Sequence, residues 1–392
     1  MIDDVVKQKL EDWYIEEEEN LLSLLSELVS INSFTSNIAG VNQVQSVLQQ
    51  EFEEIGMVSE RFPFPTAGDL LKVDSAEVGD SPILLIGHSD TVHKDDPRFC
   101  ALDIEGDIAR GPGVLDMKGG LCVMLYALKA LSFLGKLQTL PIRVLVIPDE
   151  EKGSVASRPK ELELAKGAQA ALVFEFGRDG GNVVTRRGGL GMWKVDVFGK
   201  AGHAGNDHEV SANAIVGLSK FVCEASDLTD YQARATVNFG LTNGGTAVNV
   251  VPDSASASFE VRSSSKQAYE KVKSNLESIA SRLSVDGIKV ELAEKLKVQA
   301  MEETDASAEL FEQYKKAGKL AGLNFERVKN VSGGVSDANN VASLGIPTID
   351  GLGPLGAGAH SKDEYLELST LKPKILNLVY WLLSLDQPVD LT

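Results

Sequence analysis

Apolar and polar positions alternate along this chain at two distinct periods. Over residues 4–30 the apolar positions recur at helical spacing in an acidic background, and Leu21, Leu22, Leu24, Leu25 and Leu28 mark the stripe that such a helix buries. A second helix is predicted over about 41–55, stopped by Gly56 as a C-cap. Three short, nearly continuous apolar runs follow. Residues 83–86 lead into Gly87-His88, residues 142–147 into Pro148-Asp149-Glu150-Glu151, and residues 171–174 into Glu175. Runs of this kind, separated by helical segments, read as buried strands of an α/β sheet. Ligands of such sheets gather beyond the carboxyl ends of the strands. Metal-binding residue types at three strand ends therefore predict a site.

The texture changes after Gly188-Gly189. Residues 191–198 alternate as a half-exposed strand, and 212–228 read as a helix. Strands are predicted over about 236–241 and 255–262, a helix over 266–283 and a last strand over 288–296. This β-α-β-β-α-β order predicts a ferredoxin-like α+β domain over 188–299. It is inserted into an α/β domain made of 1–187 and 300–392, whose largely parallel central sheet is flanked by helices. The first domain resumes with a helix around 306–321, a strand over 346–350, and a helix opened by Ser369 that runs to about Leu385.

Charge and cysteine usage narrow the functional classes. A net charge of −19 disfavours nucleic acid and anionic membrane surfaces as partners. No basic segment followed by an apolar stretch opens the chain, and no apolar run reaches membrane-spanning length. Cys100, Cys122 and Cys223 are far apart and form no CxxC pair, so they read as reduced thiols of a cytoplasmic protein, with Cys122 in the core. GxSxG, P-loop and cysteine-nucleophile signatures are all missing from the sequence.

Of five histidines, His88 and His360 close glycine-rich passages from apolar run to loop. A lone histidine there is commonly a hydrogen-bonded structural residue. Asp90, two positions beyond His88, is the sort of carboxylate that fixes an imidazole's tautomer and ring angle. Asp116, at the mouth of a helix predicted from Met117 to about Leu134, is either an N-cap or a ligand. Glu150 and Glu151 are adjacent carboxylates that repel unless cations or solvent compensate them. Such pairs are usually surface residues, but here they share a strand end with the other candidates.

The segments 87–92, 111–120, 149–154, Gly202-His203-Ala204-Gly205, Ser336-Asp337-Ala338-Asn339 and Gly358-Ala359-His360-Ser361 resemble, in order, those of the dinuclear zinc exopeptidases of the glutamate carboxypeptidase type. That group is related to acetylornithine deacetylase, succinyl-diaminopimelate desuccinylase and the aminoacylases. The resemblance implies two Zn2+ per chain, replaceable by Co2+ or Mn2+, with Asp116 bridging them. His88 and Glu175 complete one ion's ligands, and Glu151 and His360 the other's. Asp90 orients His88, and Glu150 is the general base. Nitrogen and oxygen donors without thiolate suit these metals. Three ligating carboxylates against two dications leave about one positive charge, which a bridging hydroxide would cancel.

On the substrate side, the resemblance implies that His203 stabilises the oxyanion from a partner subunit, the inserted domain serving as lid and dimer contact. Asn249 and Arg262 would hold a substrate carboxylate, and Gly358 would let backbone approach the substrate. The bland alternatives are a turn histidine at His203 and a strand-surface ion pair at Arg262. Residues Asn206 to Ser211 depart from the family's usual proline-glutamate-x-glycine stretch, and His93 and His208 read as surface. The function implied is a metallocarboxypeptidase that removes a C-terminal amino acid, preferably acidic, from a small peptide or N-acyl conjugate. The segment from His360 to Tyr365 resembles that branch, while glutamate at Glu175 resembles the N-acyl amino-acid deacylases. A non-catalytic metal-binding dimeric scaffold would be expected to lose the base or a ligand, and all of these positions are filled.

Overall fold

The computed structural model describes residues 2–76 and 78–385. They form two compact units. One runs to Thr185 and takes up Glu303–Asn330 and the chain from Ser336; the other comprises Arg186–Glu302 and Val331–Val335. The chain therefore passes between units four times, whereas a simple insertion over 188–299 predicts two crossings.

In chain order the first unit holds α1 (Asp4–Ser30), α2 (Ile38–Glu54), β1 (Val58–Phe64), β2 (Ala67–Asp74), β3 (Ile83–His88), β4 (Asp103–Glu105) and β5 (Ile108–Arg110). It continues with α3 (Gly119–Phe133), β6 (Ile142–Ile147), α4 (Arg158–Ala165) and β7 (Ala170–Val173). The second unit contributes β8 (Gly189–Phe198), β9 (Gly202–His203), α5 (Ala214–Ser226), β10 (Thr236–Gly244), β11 (Val250–Val251), β12 (Ser254–Ser263), α6 (Lys266–Leu283) and β13 (Lys289–Val298). The first unit then resumes with α7 (Asp305–Leu320), α8 (Asp337–Ala342), β14 (Thr348–Ile349), β15 (Gly356–Ala357), β16 (Tyr365–Glu367) and α9 (Leu371–Leu385).

Six strands make the first unit's main sheet, in the order β1-β2-β6-β3-β7-β14. From β6 to β14 all neighbours are parallel, and the β1–β2 hairpin adds an antiparallel edge. Sequence patterning does not predict that hairpin, because β1 buries none of its residues fully and carries no apolar run. The parallel strands are different: β3 and β7 are buried at every position. Helix α3 is enclosed as well, with Leu121 through Leu128 all buried, so it behaves as a core element and not as an amphipathic one. Among the described residues no helix is long and apolar enough to cross a membrane.

The second unit has one four-stranded antiparallel sheet, ordered β10-β12-β8-β13, with α5 and α6 packed on it. Its core gathers Trp193, Phe221, Phe239 and Phe259, and the Phe239 and Phe259 rings lie 4.6 Å apart. The element order and strand order are those of a ferredoxin-like α+β unit.

Candidate metal centre

Strands β6, β3 and β7 are neighbours, so their carboxyl ends deliver Glu150 and Glu151, His88 and Glu175 to one place. Asp116 arrives from a single wide turn, Val114–Lys118, whose interior departs from helical geometry at Asp116 (φ −116°, ψ 89°) and whose Asp116–Met117 peptide bond is cis. Helix α3 begins only at Gly119, with Lys118 before it, so Asp116 is not its N-cap. His360 comes from the loop between β15 and β16 and adopts a left-handed backbone (φ 66°). Gly358 precedes it at φ 78°, and a Cβ there would stand 2.6 Å from the Asp363 carbonyl oxygen, so only glycine fits that turn.

The five donors fall into two sets that share Asp116. His88 Nε2 lies 3.2 Å from Asp116 Oδ1 and 3.7 Å from Glu175 Oε1. On the other side, His360 Nε2 lies 3.2 Å from both Asp116 Oδ2 and Glu151 Oε2. Tetrahedral ligands about 2.0–2.1 Å from one ion stand roughly 3.3 Å from each other, so both sets have the spacing of a metal site. Each Asp116 oxygen serves a different set. Glu151 Oε1 is buried and has no hydrogen-bond partner. A cation would answer that orphaned oxygen, and the donor set of imidazoles and carboxylates fits two divalent ions.

Asp90 is fully buried and contacts more than His88. The His88 Nδ1 atom lies 3.0 Å from the Asp90 main-chain oxygen and 3.4 Å from Oδ1. The Asp90 carboxylate also accepts the backbone N–H of Glu150 (3.1 Å) and of Glu151 (3.3 Å), and the Thr35 hydroxyl (2.7 Å). One carboxylate thus ties a histidine to the turn that carries both glutamates. Glu150 belongs to neither donor set.

Burial pushes Glu150 well above the usual carboxylate range; His88 opposes this, and the charges of Glu175, Asp337 and Glu151 add to it. Glu151 is raised by burial too, although its bond to His360 pulls it back. Asp116 goes the other way: burial is outweighed by bonds to His360 and His88, which hold it below the usual range. Those same contacts with Asp116 and Glu151 lift His360 to about 10. Behind the site, Asp337 is pushed up to about 7 by burial, against a hydrogen bond from Ser154.

A pH dependence follows for the metal-free protein. Asp337, Glu150 and His360 all bind protons more tightly folded than unfolded, so their contribution to stability is lost as pH rises through the folded values. Between about pH 7 and about pH 10 these groups lower the first thermal transition of chelated protein, against an opposite slope from the buried amines of Lys118 and Lys374, which burial pulls down to about 7 and about 8. Two bound ions require deprotonated ligands and should flatten that slope. Removing His360 isolates its share: chelated His360→Gln should lose less Tm across this window than chelated wild type, and equal slopes would contradict the assignment.

His203, Asn249 and Arg262 belong to the second unit. Strands β9 and β11 pair so that Val250 faces His203, and the Ala204 N–H donates to the Asn249 carbonyl (3.0 Å), which sets Asn249 beside His203. His203 Nδ1 accepts the backbone N–H of Gly205 (3.1 Å) and Asn206 (3.3 Å). That leaves the ring proton on Nε2. Arg262 donates twice to Glu260, at 3.1 and 3.3 Å, and once to the Gly333 carbonyl (2.9 Å). His208 is exposed. His93 is not the surface residue that its sequence context suggests: its ring is largely buried, 2.6 Å from Glu364 and edge-on to Phe99.

Residues 84–383 match the model of peptidase family M20/M25/M40. The chain belongs to that family. Carboxypeptidase G2 of Pseudomonas sp. (strain RS-16) is 30% identical over 92% of this chain and 88% of its own length. Succinyl-diaminopimelate desuccinylase of Xylella fastidiosa is 26% identical over 90% of this chain and 95% of its own. Among solved structures, a Bacillus subtilis protein described as a dinuclear metal-binding peptidase of the M20 family superposes with a TM-score of 0.68. It shares 15% identity, covering 94% of this chain and 99% of that one. This M20 chain is accordingly a hydrolytic enzyme of the metallopeptidase type, from a metal-dependent family.

Proposed function

We propose that this M20 enzyme is a zinc carboxypeptidase that hydrolyses the amide bond before a C-terminal, preferably acidic, residue of a small peptide or N-acyl conjugate. The observation that carries the reading is Asp116, with one oxygen in each of two donor sets, and a half-buried Glu150 that joins neither. Two zinc ions held by His88, Asp116, Glu151, Glu175 and His360 would polarise the scissile carbonyl and acidify a water molecule. Glu150 takes the water's proton and passes it to the departing nitrogen. His203 presents an Nε2–H donor of the kind that stabilises an oxyanion, with Asn249 at its side.

For the substrate carboxylate we assign Arg262. Its guanidinium lines a hollow of about 340 Å3 in the second unit, together with Tyr231, Arg234 and Gly333. A substrate carboxylate takes the place of Glu260 there. Two arginines in one hollow favour a dianionic C-terminal residue. The second unit also carries the dimer contact in this reading: β10 is an edge strand, and Leu241 on it is 71% exposed. The second reading, an N-acyl amino-acid deacylase, draws on Glu175 and on the likeness to a desuccinylase.

Zinc-loaded enzyme assayed on a panel of peptidyl- and acyl-amino acids decides between them. Peptides ending in glutamate or aspartate should show the highest kcat/KM, chelation should abolish turnover, and added Zn2+ should restore it. Highest kcat/KM on acetyl- or succinyl-amino acids would favour the deacylase. Arg262→Ala should lower kcat/KM by about tenfold or more on free-carboxylate substrates. Little change is expected on C-terminally amidated ones. Equal losses on both would make Arg262 structural.

A further inference from the structure

Asp116 stands in a turn whose own backbone bonds, from the Lys118 N–H to the Gly113 carbonyl and from the Gly119 N–H to the Val114 carbonyl, do not engage the Asp116 N–H, yet both its oxygens must be placed to within a few tenths of an ångström to serve two donor sets. What fixes that segment is a carboxylate remote in sequence. Glu364 is fully buried. Its Oε1 accepts the N–H of Leu115 (2.8 Å) and of Asp116 itself (2.9 Å). Its Oε2 accepts the N–H of Gly113 (3.1 Å) and lies 2.6 Å from His93 Nε2. One side chain therefore gathers three main-chain donors from four consecutive residues, in a region closed to water. Bonds to an ionised acceptor are shorter and stronger than neutral ones and hold their geometry more tightly.

The other contacts make this a directed arrangement. His93 is held edge-on against Phe99, with ring centroids 5.2 Å apart, so the imidazole that meets Glu364 is itself fixed. The buried Lys118 amine donates to the carbonyls of Ile31 (3.0 Å) and Pro112 (3.3 Å), closing the same loop. His93 and His360 also line one hollow of about 390 Å3, so the chain that positions Asp116 ends beside a second candidate ligand.

We propose that Glu364 and His93 are a positioning pair, which holds the Asp116 backbone so that its two oxygens bind two ions at once. The proposal rests on the two-metal reading above. Neither residue touches an ion or the substrate; they act through Asp116. Partners of this kind commonly change metal affinity or activity by about 10- to 100-fold.

The test uses the full chain loaded with Co2+, whose absorption spectrum reports ligand geometry, together with calorimetric titration of Co2+ into metal-free protein. Three variants are compared with wild type: Glu364→Gln, His93→Phe and His93→Gln. Glu364→Gln keeps an acceptor for Leu115 and Asp116 but loses the charge and one acceptor. It should weaken binding of at least one ion by about tenfold or more and shift the cobalt spectrum. His93→Phe keeps the ring against Phe99 without the donor, and should do the same in smaller measure, lowering kcat with KM little changed. His93→Gln restores a donor and should recover the wild-type spectrum. Because His93 lies at the edge of the core, its variants keep the test open if Glu364→Gln fails to fold. Spectra and affinities equal to wild type in both His93→Phe and Glu364→Gln would overturn the proposal while leaving the two-metal reading standing. Wild-type protein that takes up fewer than two ions would overturn both.

Discussion

Glu150→Gln should keep both ions and nearly all substrate binding while losing about 10²- to 10⁴-fold in kcat. The substitution is close to isosteric, and Glu150 lies outside both donor sets, so no ligand is removed. What disappears is a proton acceptor. Burial and the neighbouring carboxylates raise Glu150's affinity for a proton, and a glutamine amide offers none at any pH. KM should change little, because the side chain acts on the water and the leaving nitrogen and not on the substrate's ground-state contacts. Metal content per chain, measured beside kcat and KM, is the check. A variant that had lost an ion would show that Glu150 is a ligand, and a variant with wild-type kcat would remove it from the mechanism.

The second large effect concerns His203. If it works at the metal centre of a partner subunit, inactive Glu150→Gln and inactive His203→Ala chains should rescue each other when mixed and refolded. One of the two sites in such a heterodimer combines an intact base with an intact His203. The mixed species should therefore recover about half the activity of a wild-type dimer. A histidine that acts within its own chain leaves every site defective, and mixing then restores nothing. A protein that stays monomeric at assay concentration rules out the arrangement before any mixing.

Much of the candidate metal centre was legible because parallel strands advertise themselves. Their apolar runs are buried on both faces, and the polar residue that ends each run has to lie at the sheet's carboxyl edge. His88, Glu151 and Glu175 could be read in this way, and the strand order β6-β3-β7 sets them side by side. Asp116 was harder, since its turn has no periodicity and an N-cap would look the same in sequence. Glu364 and His93 were not legible at all. They are 271 positions apart, neither ends an apolar run, and their partners are main-chain groups that carry no signature. Strand β1 escaped for a related reason, being an edge with no fully buried residue and no apolar run. At Arg262 the two-residue spacing to Glu260 on one face of a strand shows the ion pair as readily as a substrate site, and the hollow beside it is a long-range feature that no local pattern encodes.

The short return of Val331–Val335 to the second unit limits how this family member can be cut and recombined. The Ser332 N–H donates to the Arg186 carbonyl, the Gly188 N–H donates to the Ser332 carbonyl, and Gly333 accepts from Arg262. These five residues close the base of the unit although they are encoded some thirty positions beyond its last strand. A cassette excised at 188–299, whether for domain exchange with a relative or for expression alone, would leave that closing piece behind and carry Arg262 without its main-chain partner. Chimeras that exchange this unit must move both segments together, and ones that move only the larger segment should yield a loosened hollow around Arg262.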